Sequence, residues 1–294
     1  MYWHQGWEDS PPLVKQCAES WIRHHGDDQW SVHLLDKNNV HSWLKQCPEE
    51  DAAALRRFLV RFESGENVGG LAHYADLLRL VLLDHFGGVW TDATILCFQS
   101  LSAWLPPAIT MGMPRSLSAE RRTETWFIDN RCKDPVLSLW KVRYRDLYFS
   151  PDNQITYLDD WSTKRYQVEY WMVNVAMRSP GLAARVWNSP LALKHLKIRP
   201  YFATNAVLEY VLRIQIPAER MARLHQIILP IDCELMWDIH VSDWRSPMSD
   251  YQLSRFPTTP LLKLNHKTKW AGQIEEAAAI QDSAWSTWLK RAKS

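Results

Sequence analysis

The clearest pattern of apolar and polar positions lies between residues 71 and 96. From Leu71 to Phe86, leucine and valine side chains project around nearly the whole circumference of a helix at about 100° per residue, so this helix is expected to be largely buried. Gly87 and Gly88 follow, and glycine in this place favours the end of a helix. Residues 89–96, VWTDATIL, predict a buried strand that nevertheless contains a carboxylate and hydroxyls.

Similar patterns predict a mixed α/β organisation for the rest of the chain. Helical spacing predicts a helix over residues 11–24, and a second helix is expected over 51–63. Alternation predicts a strand over residues 30–36, and residues 2–7 are the expected first strand. The order strand, helix, strand predicts a parallel sheet, whose ligands lie beyond the carboxyl ends of the strands. Further α/β segments are expected after residue 100: a stretch with Met and Pro at 111–114, an aromatic run at 126–128, a mostly helical region over 134–196, and proline-containing loops in the last third that return to the sheet.

The composition is that of a folded protein without a nucleic-acid role. Hydrophobic residues make up 46% of the 294 residues and tryptophans number 17, which argues against disorder. The formal net charge is +1, so the chain lacks the broad cationic field that drives nucleic-acid binding. Its five cysteines are irregularly spaced and form no CxxC pair, as is typical of reduced cytosolic thiols.

The hydrophobic pattern contains no membrane span. No apolar run approaches the ~20 residues that cross a bilayer, and the first residues do not resemble a secretory signal. We therefore expect a cytoplasmic protein, with the inner face of the membrane as one possible place of action. Residues 277–293, AAAIQDSAWSTWLKRAK, fit either an amphipathic helix at a membrane surface or, as the preferred alternative, a helix packed on its own domain.

Charged residues interrupt the apolar helix of residues 71–86, and two of them lie near its middle. Asp76 and Arg79 stand three positions apart and project to nearly the same side, where an unpaired buried charge would be costly. One interpretation is an internal salt bridge that holds the helix in place. The other is a ligand site, in which Asp76 accepts hydrogen bonds from ligand hydroxyls and Arg79 binds a phosphate or carboxylate or orients Asp76.

Asp92 and Thr94 raise a similar choice in the strand that follows. Alternation places both side chains on one face, near the carboxyl end of the strand. A carboxylate there suits a hard divalent cation such as Mg²⁺, which also takes waters and phosphate oxygens as ligands, whereas a threonine hydroxyl is a weak ligand. Alternatively, Asp92 ends the strand and caps a turn through its own backbone.

Four separated motifs, in one order, carry a resemblance to a known family. The run YADLLRLVLLDHFGGVWTDATIL at 74–96 is similar to the signature of the capsular polysaccharide synthesis family, which is related to DXD-type sugar-binding glycosyltransferases that include fungal mannosyltransferases and glucosylating bacterial toxins. The opening residues 2–40, the segment ETWFIDN at 124–130 and the segment KLNHKTKW at 263–270 also resemble that family. Together these motifs span most of the chain.

The resemblance implies a fold, a reaction and a site. The implied fold is α/β, a single GT-A type domain over residues 1–294 with a Rossmann-like mixed sheet flanked by helices and with helical additions. In this domain, residues 1–100 form the nucleotide-binding half and residues 101–270 form the acceptor half and the closing segment. Residues 271–294 form a C-terminal helix. The implied activity is a retaining, metal-dependent transfer of a hexose from a UDP- or GDP-sugar to a glycan or glycoconjugate acceptor, with Mn²⁺ or Mg²⁺ as cofactor. Peripheral membrane contact is expected only under the amphipathic alternative for residues 277–293.

The family's motifs also assign roles to individual residues. Asp76 and Arg79 match its D-x-x-R and are implied to contact the donor's ribose and sugar hydroxyls. Asp92 matches the first aspartate of the DXD motif, and Thr94 stands where many relatives have a second one. The implied metal ligands are Asp92, Thr94, Asn265 and His266. The implied donor contacts further include Trp3, Gln5, Asp129, Asn130, His266, Lys267 and Trp270, with Lys269 as a weaker candidate.

Several of these assignments have structural alternatives. Trp3 can stack on a nucleobase or pack in the core, and Asp129 with Asn130 can form a turn rather than face the sugar. For the whole protein, the alternative to an enzyme is a catalytically silent nucleotide-sugar-binding scaffold subunit, which the threonine at position 94 supports. A phosphotransferase is a weaker alternative because the chain has no GxxxxGK[ST] loop.

Overall fold

The computed structural model is a mixed α/β protein, as the sequence predicts. The structure describes residues 1–26, 29–66, 68–107, 111–115, 123–151, 156–157, 180–191, 193, 198–199, 203–216, 228–229, 231–265 and 272–294. The α-helices in these ranges are α1 (Pro12–His24), α2 (Val40–Leu44), α3 (Glu49–Glu63), α4 (Leu71–Phe86), α5 (Leu101–Trp104), α6 (Pro135–Tyr148), α7 (Pro180–Val186), α8 (Ala203–Tyr210), α9 (Cys233–Val241), α10 (Asp250–Arg255), α11 (Ile274–Ala279) and α12 (Ala284–Lys293).

The strands in the described ranges are short and pair two by two. They are β1 (Val89–Thr91), β2 (Ile95–Cys97), β3 (Met113–Pro114), β4 (Phe127–Asp129), β5 (Thr156–Tyr157), β6 (Ile198–Arg199), β7 (Ile228–Leu229) and β8 (Leu261–Lys263). β1 pairs with β4 and β3 with β7, while β2 pairs antiparallel with β8 and β5 parallel with β6. The larger parallel sheet of our prediction is therefore not seen in the part of the chain that is described.

The chain divides into two compact units, each assembled from separate stretches. The first unit comprises residues 1–40, 91–108 and 229–294, and the second comprises 41–90 and 109–228. The boundary falls inside β1 and β7, whose last residues belong to the first unit. The assignment of a single domain over 1–294, with divisions after residues 100 and 270, stays a prediction.

The helices that were predicted from apolar periodicity are confirmed. α1 and α3 lie within two residues of the predicted bounds, and α4 has the predicted bounds. Gly87 ends α4 with a φ of 76°, a left-handed conformation that glycine adopts without the penalty of a Cβ atom. The last third differs from the prediction, because α9 and α10 lie where proline-containing loops were expected, although β8 does return to pair with β2.

Two predicted strands and one predicted continuous strand are wrong. The predicted strands at 2–7 and 30–36 are reduced to a parallel bridge between Tyr2 and Leu35. The predicted strand over 89–96 is broken, because β1 ends at Thr91 and β2 begins at Ile95 with a turn between them. Asp and Thr side chains compete with strand hydrogen bonding and favour turns, which explains the break.

In the first unit, tryptophans anchor the C-terminal helix. Trp285 and Trp288 of α12 are fully buried, and the Trp285 ring stacks on Trp244 with 5.9 Å between ring centroids. The indole Nε1 of Trp288 donates to the sulfur of Met248 at 3.2 Å. The apolar face of α12 is thus packed within its own unit, which confirms the preferred alternative for this segment. None of the helices that the structure describes has the length and apolarity to cross a bilayer.

In the second unit, α6 packs against α4 through a buried charge network that includes α3. The ammonium of Lys141 in α6 lies 2.6 Å from Oδ2 of Asp51 and 2.8 Å from Oδ2 of Asp84. The Lys141 and Asp51 side chains are 7% and 0% exposed, and Arg145 adds a second cation 2.8 Å from Oδ1 of Asp51. Ser138 donates a hydrogen bond to Asp84. These buried charges are therefore paired, as buried charges must be.

Candidate functional site

The turn between β1 and β2 holds the central residues of the predicted site. The register of β2 and β8 sets Ile95 opposite Lys263, and the backbone N–H of Leu264 donates to the carbonyl of Thr94 at 2.9 Å. This pairing brings the Lys263 side chain to the turn. Its ammonium donates to Oδ2 of Asp92 at 2.8 Å and to Oγ1 of Thr94 at 2.9 Å. Asp92 and Thr94 therefore both bind the Lys263 ammonium, and their role as metal ligands stays a prediction.

Helix α1 supports this turn from below. Its apolar face packs against β2, and the indole Nε1 of Trp21 donates to the carbonyl of Ile95 at 2.8 Å. The hydroxyl of Ser20 accepts a hydrogen bond from the backbone N–H of Cys97 at 2.9 Å. These two hydrogen bonds hold both ends of β2 against the buried face of α1, so the position of the turn that precedes β2 is fixed.

The exposure and charge of this cluster decide what it can do. The side chains of Asp92 and Lys263 are each 27% exposed, whereas Thr94 is 6% exposed. The carboxylate and the ammonium carry opposite charges, and the N-terminal amine of Met1 also interacts electrostatically with Asp92. An ammonium has three N–H donors, of which the carboxylate and the hydroxyl take two. The cluster is thus a partly open site in which the Lys263 ammonium can still donate to an incoming anion.

The oxygens at this turn are of a kind that binds cations, and in the structure they bind the ammonium of Lys263. Of the predicted metal ligands, Asp92 and Thr94 face Lys263, Asn265 lies two residues beyond β8, and His266 lies outside the described residues. Carboxylate, hydroxyl and amide oxygens are ligand types that Mg²⁺ accepts. Within the described ranges, no three His, Cys, Asp or Glu side chains come together as a metal site. The described part of the site therefore offers one carboxylate, and that carboxylate already pairs with an ammonium.

Asp76 and Arg79 form the internal pair that we considered as one alternative. Their side chains make a salt bridge of 2.7 Å in the second unit, and the residues are 8% and 5% exposed. Arg79 also donates to the carbonyls of Ala75, at 3.3 Å, and of Thr125, and its guanidinium lies 5.6 Å from the centroid of the Trp90 ring. The salt bridge is confirmed. The contact of this pair with donor hydroxyls stays a prediction.

Asp129 and Asn130 are fully buried and join neighbouring elements of the second unit. The carboxylate of Asp129 accepts two hydrogen bonds of 3.0 Å from the Arg131 guanidinium. The amide of Asn130 donates to the carbonyl of Leu83 at 3.1 Å and accepts from the backbone N–H of Asp134 at 2.9 Å. Asn130 thus ties the end of α4 to the start of α6, in agreement with the turn-forming alternative; contact with the sugar stays a prediction.

The other predicted donor contacts divide between described and undescribed residues. The Trp3 side chain is half-buried in the first unit, where its backbone N–H donates to the carbonyl of Leu35 at 2.9 Å, and Gln5 is exposed. Their role in holding a base stays a prediction. His266, Lys267, Lys269 and Trp270 lie outside the described residues.

Sequence reasoning gave Lys263 no role, although a signal was present. Lys263 begins the KLNHKTKW motif, yet only residues from 265 onward were assigned a function. The run Pro260-Leu261-Leu262-Lys263-Leu264 places one charge within an apolar stretch, as the run around Asp92 does. Opposite charges inside two apolar runs are a sign that the runs pair, because each charge needs a partner.

Comparison with known proteins identifies relatives. The sequence model of the family described as "Capsular polysaccharide synthesis protein" matches residues 1–177. An O-glycosyltransferase (braB) of Annulohypoxylon truncatum is 34% identical over 98 residues, which cover 33% of this chain and 23% of that protein. An O-glycosyltransferase (PaGT) of Phomopsis amygdali is 33% identical over 102 residues, 34% of this chain and 24% of that protein.

A third relative agrees with these. A glycosyltransferase (afumC) of Aspergillus fumigatus is 35% identical over 107 residues, which cover 35% of this chain and 25% of that protein. The chain thus spans about a quarter of the length of the curated relatives it matches. No solved structure matches the chain.

Proposed function

This chain belongs to the capsular polysaccharide synthesis protein family, and we propose that it is a glycosyltransferase that moves a sugar from a UDP- or GDP-sugar to a glycan or glycoconjugate acceptor. In this proposal the transfer retains the anomeric configuration, uses Mn²⁺ or Mg²⁺, moves a hexose and serves capsular or other surface polysaccharide synthesis. The proposed fold is of the GT-A type. The proposed glycosyltransferase activity is supported by the family match over residues 1–177 and by the names of three fungal relatives, each a glycosyltransferase.

The observation that carries the proposal is the Asp92–Lys263–Thr94 cluster at the turn between β1 and β2. Negative charge develops on the nucleoside diphosphate as the anomeric C–O bond breaks, so a cation placed beside the leaving group stabilises the transition state. The Lys263 ammonium is held by two oxygens and keeps a donor for a phosphate. Asp92 orients this cation, and its 27% exposure leaves it accessible from solvent.

The proposed reaction needs no strong base from the protein. The bond from the anomeric carbon to the diphosphate oxygen breaks, and the acceptor hydroxyl oxygen forms the new bond on the same face of the sugar. The departing phosphate oxygen takes the acceptor's proton, so atoms and charges balance. The chain's own contribution is to bind, orient and neutralise, with Asp76 and Arg79 as proposed contacts for donor hydroxyls and Trp3 with Gln5 for the base.

A divalent metal is the second source of positive charge in this proposal. Bound Mn²⁺ or Mg²⁺ supplies positive charge to the diphosphate oxygens. Asp92, Thr94 and Asn265 are the described residues that would hold it, and His266 is the proposed fourth ligand. This part of the proposal rests on the oxygen ligand types at the turn.

Donor binding is the first test. Thermal unfolding of the protein would be measured with a panel of UDP- and GDP-sugars, with and without Mn²⁺, because a ligand that binds only the native state raises the apparent stability by about 2.7 kcal/mol at a hundredfold excess over its Kd. We expect one donor to raise Tm, and Asp92→Asn to abolish that rise. Asp282→Asn, which changes an exposed aspartate of the same unit, should keep it. A panel without any shift contradicts the proposal.

Turnover is the second test. Asp92→Ala is expected to abolish both sugar transfer and the slow hydrolysis of the donor, while circular dichroism shows an intact fold. Full turnover by this variant in the presence of a chelator contradicts the assigned role of Asp92.

The alternative function is a nucleotide-sugar-binding scaffold without catalysis. Thr94, which stands where many related transferases have an aspartate, and Lys263, which neutralises Asp92, favour it. Calorimetry that detects donor binding, together with no transfer or hydrolysis over a broad panel of acceptors, would establish the scaffold in place of the enzyme.

A further inference from the structure

Lys263 lies at the Asp92–Thr94 turn, where the proposed function places a metal. Its ammonium contacts both oxygens at hydrogen-bond distance, 2.8 Å and 2.9 Å. These are two of the oxygens that would coordinate a divalent ion. Two cations so close to a single carboxylate repel each other, because one negative charge cannot neutralise three positive charges.

The position of Lys263 allows its ammonium to leave. The backbone of Lys263 is fixed by the pairing of β8 with β2, in which it lies opposite Ile95. Its side chain is 27% exposed and has a flexible four-carbon stem, so the ammonium can turn toward solvent without breaking the strand pairing. The ammonium of Lys263 can therefore leave Asp92 and Thr94 while the backbone of β8 and the turn stay in position.

We propose that Lys263 is a displaceable counter-ion that competes with a divalent metal for Asp92 and Thr94 and thereby sets the metal affinity of the site. This inference deepens the proposed function and rests on it for its biological meaning. Without metal, the lysine keeps the two oxygens paired and the turn in a binding-ready arrangement. When a metal binds, the ammonium moves off the carboxylate and becomes available to an anionic ligand.

The test measures Mn²⁺ alone, without donor or acceptor, by the loss of its free-ion signal in electron paramagnetic resonance. Lys263→Met removes the competing charge and should tighten Mn²⁺ binding by about tenfold or more, in line with the Coulomb energy of close charges. Lys263→Arg keeps the charge and should bind Mn²⁺ like the unmodified protein. Lys15→Met, which removes an exposed lysine of the same unit, is the control for net charge and should change nothing.

Two results overturn the proposal. One is a Lys263→Met protein that is folded by circular dichroism and binds Mn²⁺ no tighter than the unmodified protein; Lys263→Gln serves as the second neutral variant if the methionine variant does not fold. The other is a gain in affinity that persists when Asp92→Asn is added, because the metal would then lie elsewhere. The Mn²⁺ titration decides this inference independently of the donor panel, which tests the proposed function.

Discussion

Two lysines of this protein each bridge two side-chain oxygens, but their surroundings differ. In the second unit, Lys141 joins Asp51 and Asp84, and its side chain is 7% exposed. In the first unit, Lys263 joins Asp92 and Thr94 and is 27% exposed. The bonds have similar lengths, between 2.6 and 2.9 Å. Bond lengths therefore do not distinguish the buried ion pair from the pair at the proposed site, whereas accessibility does.

The physical difference lies in what happens when the lysine leaves. Asp51 is fully buried, so loss of Lys141 would leave a carboxylate with less compensation in a poorly solvated place. Asp92 can be solvated or can take another cation, so loss of Lys263 has a smaller penalty. A cluster whose ion pair can separate at a small cost in free energy can serve as a binding site. A cluster whose ion pair separates only at a large cost in free energy stabilises the fold.

The largest expected effect is that of Lys141→Met. Removing one partner of a buried pair should lower the free energy of unfolding by ~3–5 kcal/mol, because it leaves Asp51 and Asp84 without their shared cation. Guanidinium denaturation followed by tryptophan fluorescence measures this loss. A loss below about 1 kcal/mol would mean that Arg145, which also contacts Asp51, is sufficient.

A smaller effect is expected from the edge of the same network. Ser138→Ala removes the hydroxyl that donates to Asp84, whose side chain is 21% exposed and can replace the bond with water. We expect a loss of about 1 kcal/mol in the free energy of unfolding, which is the usual net contribution of a hydrogen bond. Ser254→Ala, which removes an exposed hydroxyl that donates to the carbonyl of Tyr251 within α10, is the matched control. Equal losses for both variants would remove the distinction between the network and an ordinary surface bond.

The comparison also shows what the sequence could reveal. Local periodicity is enough to define α1, α3 and α4, because apolar residues repeat at helical spacing within each segment. Asp92 was identified because a carboxylate in an apolar run is unusual. Its partner was missed because Lys263 is 171 positions away in the sequence, and the pairing of β2 with β8 is a property of the folded chain.

The errors in the predicted strands have a related cause. Residues 89–96 read as one apolar run, so the pattern gave no sign of the short turn inside it. The predicted strands around Tyr2 and Leu35 depend on neighbouring strands for their hydrogen bonds, and only a bridge between them forms. Whether a segment forms a strand depends on the neighbouring strands more than on its own residues.

At the accessible cluster, stability should hardly change. Lys263→Met is expected to lower the free energy of unfolding by less than about 1 kcal/mol, because partly exposed ion pairs contribute little and are screened by salt. The measurement is the same denaturation series as for Lys141→Met, at low and at 0.5 M added salt (about a 4 Å screening length). A loss as large as that of Lys141→Met would make Lys263 a structural residue and end the contrast between the two clusters.

The smallest expected effect concerns pH and tests the buried cluster alone. Burial by itself would lower the pKa of Lys141, but the hydrogen bonds and charges of Asp51 and Asp84 outweigh burial and raise that pKa above its ordinary value. A raised pKa means that the stabilisation by Lys141 is fully present below the pKa of the unfolded chain, about 10.4, and is lost only as the pH rises through the higher folded value. The stability difference between the unmodified protein and Lys141→Met should therefore stay constant between about pH 7 and 9 and shrink above about pH 10.5. Denaturation midpoints of both proteins across this range measure it. A difference that already shrinks below about pH 9 would mean that the ammonium loses its proton more easily in the folded protein, and that burial rather than pairing dominates at Lys141.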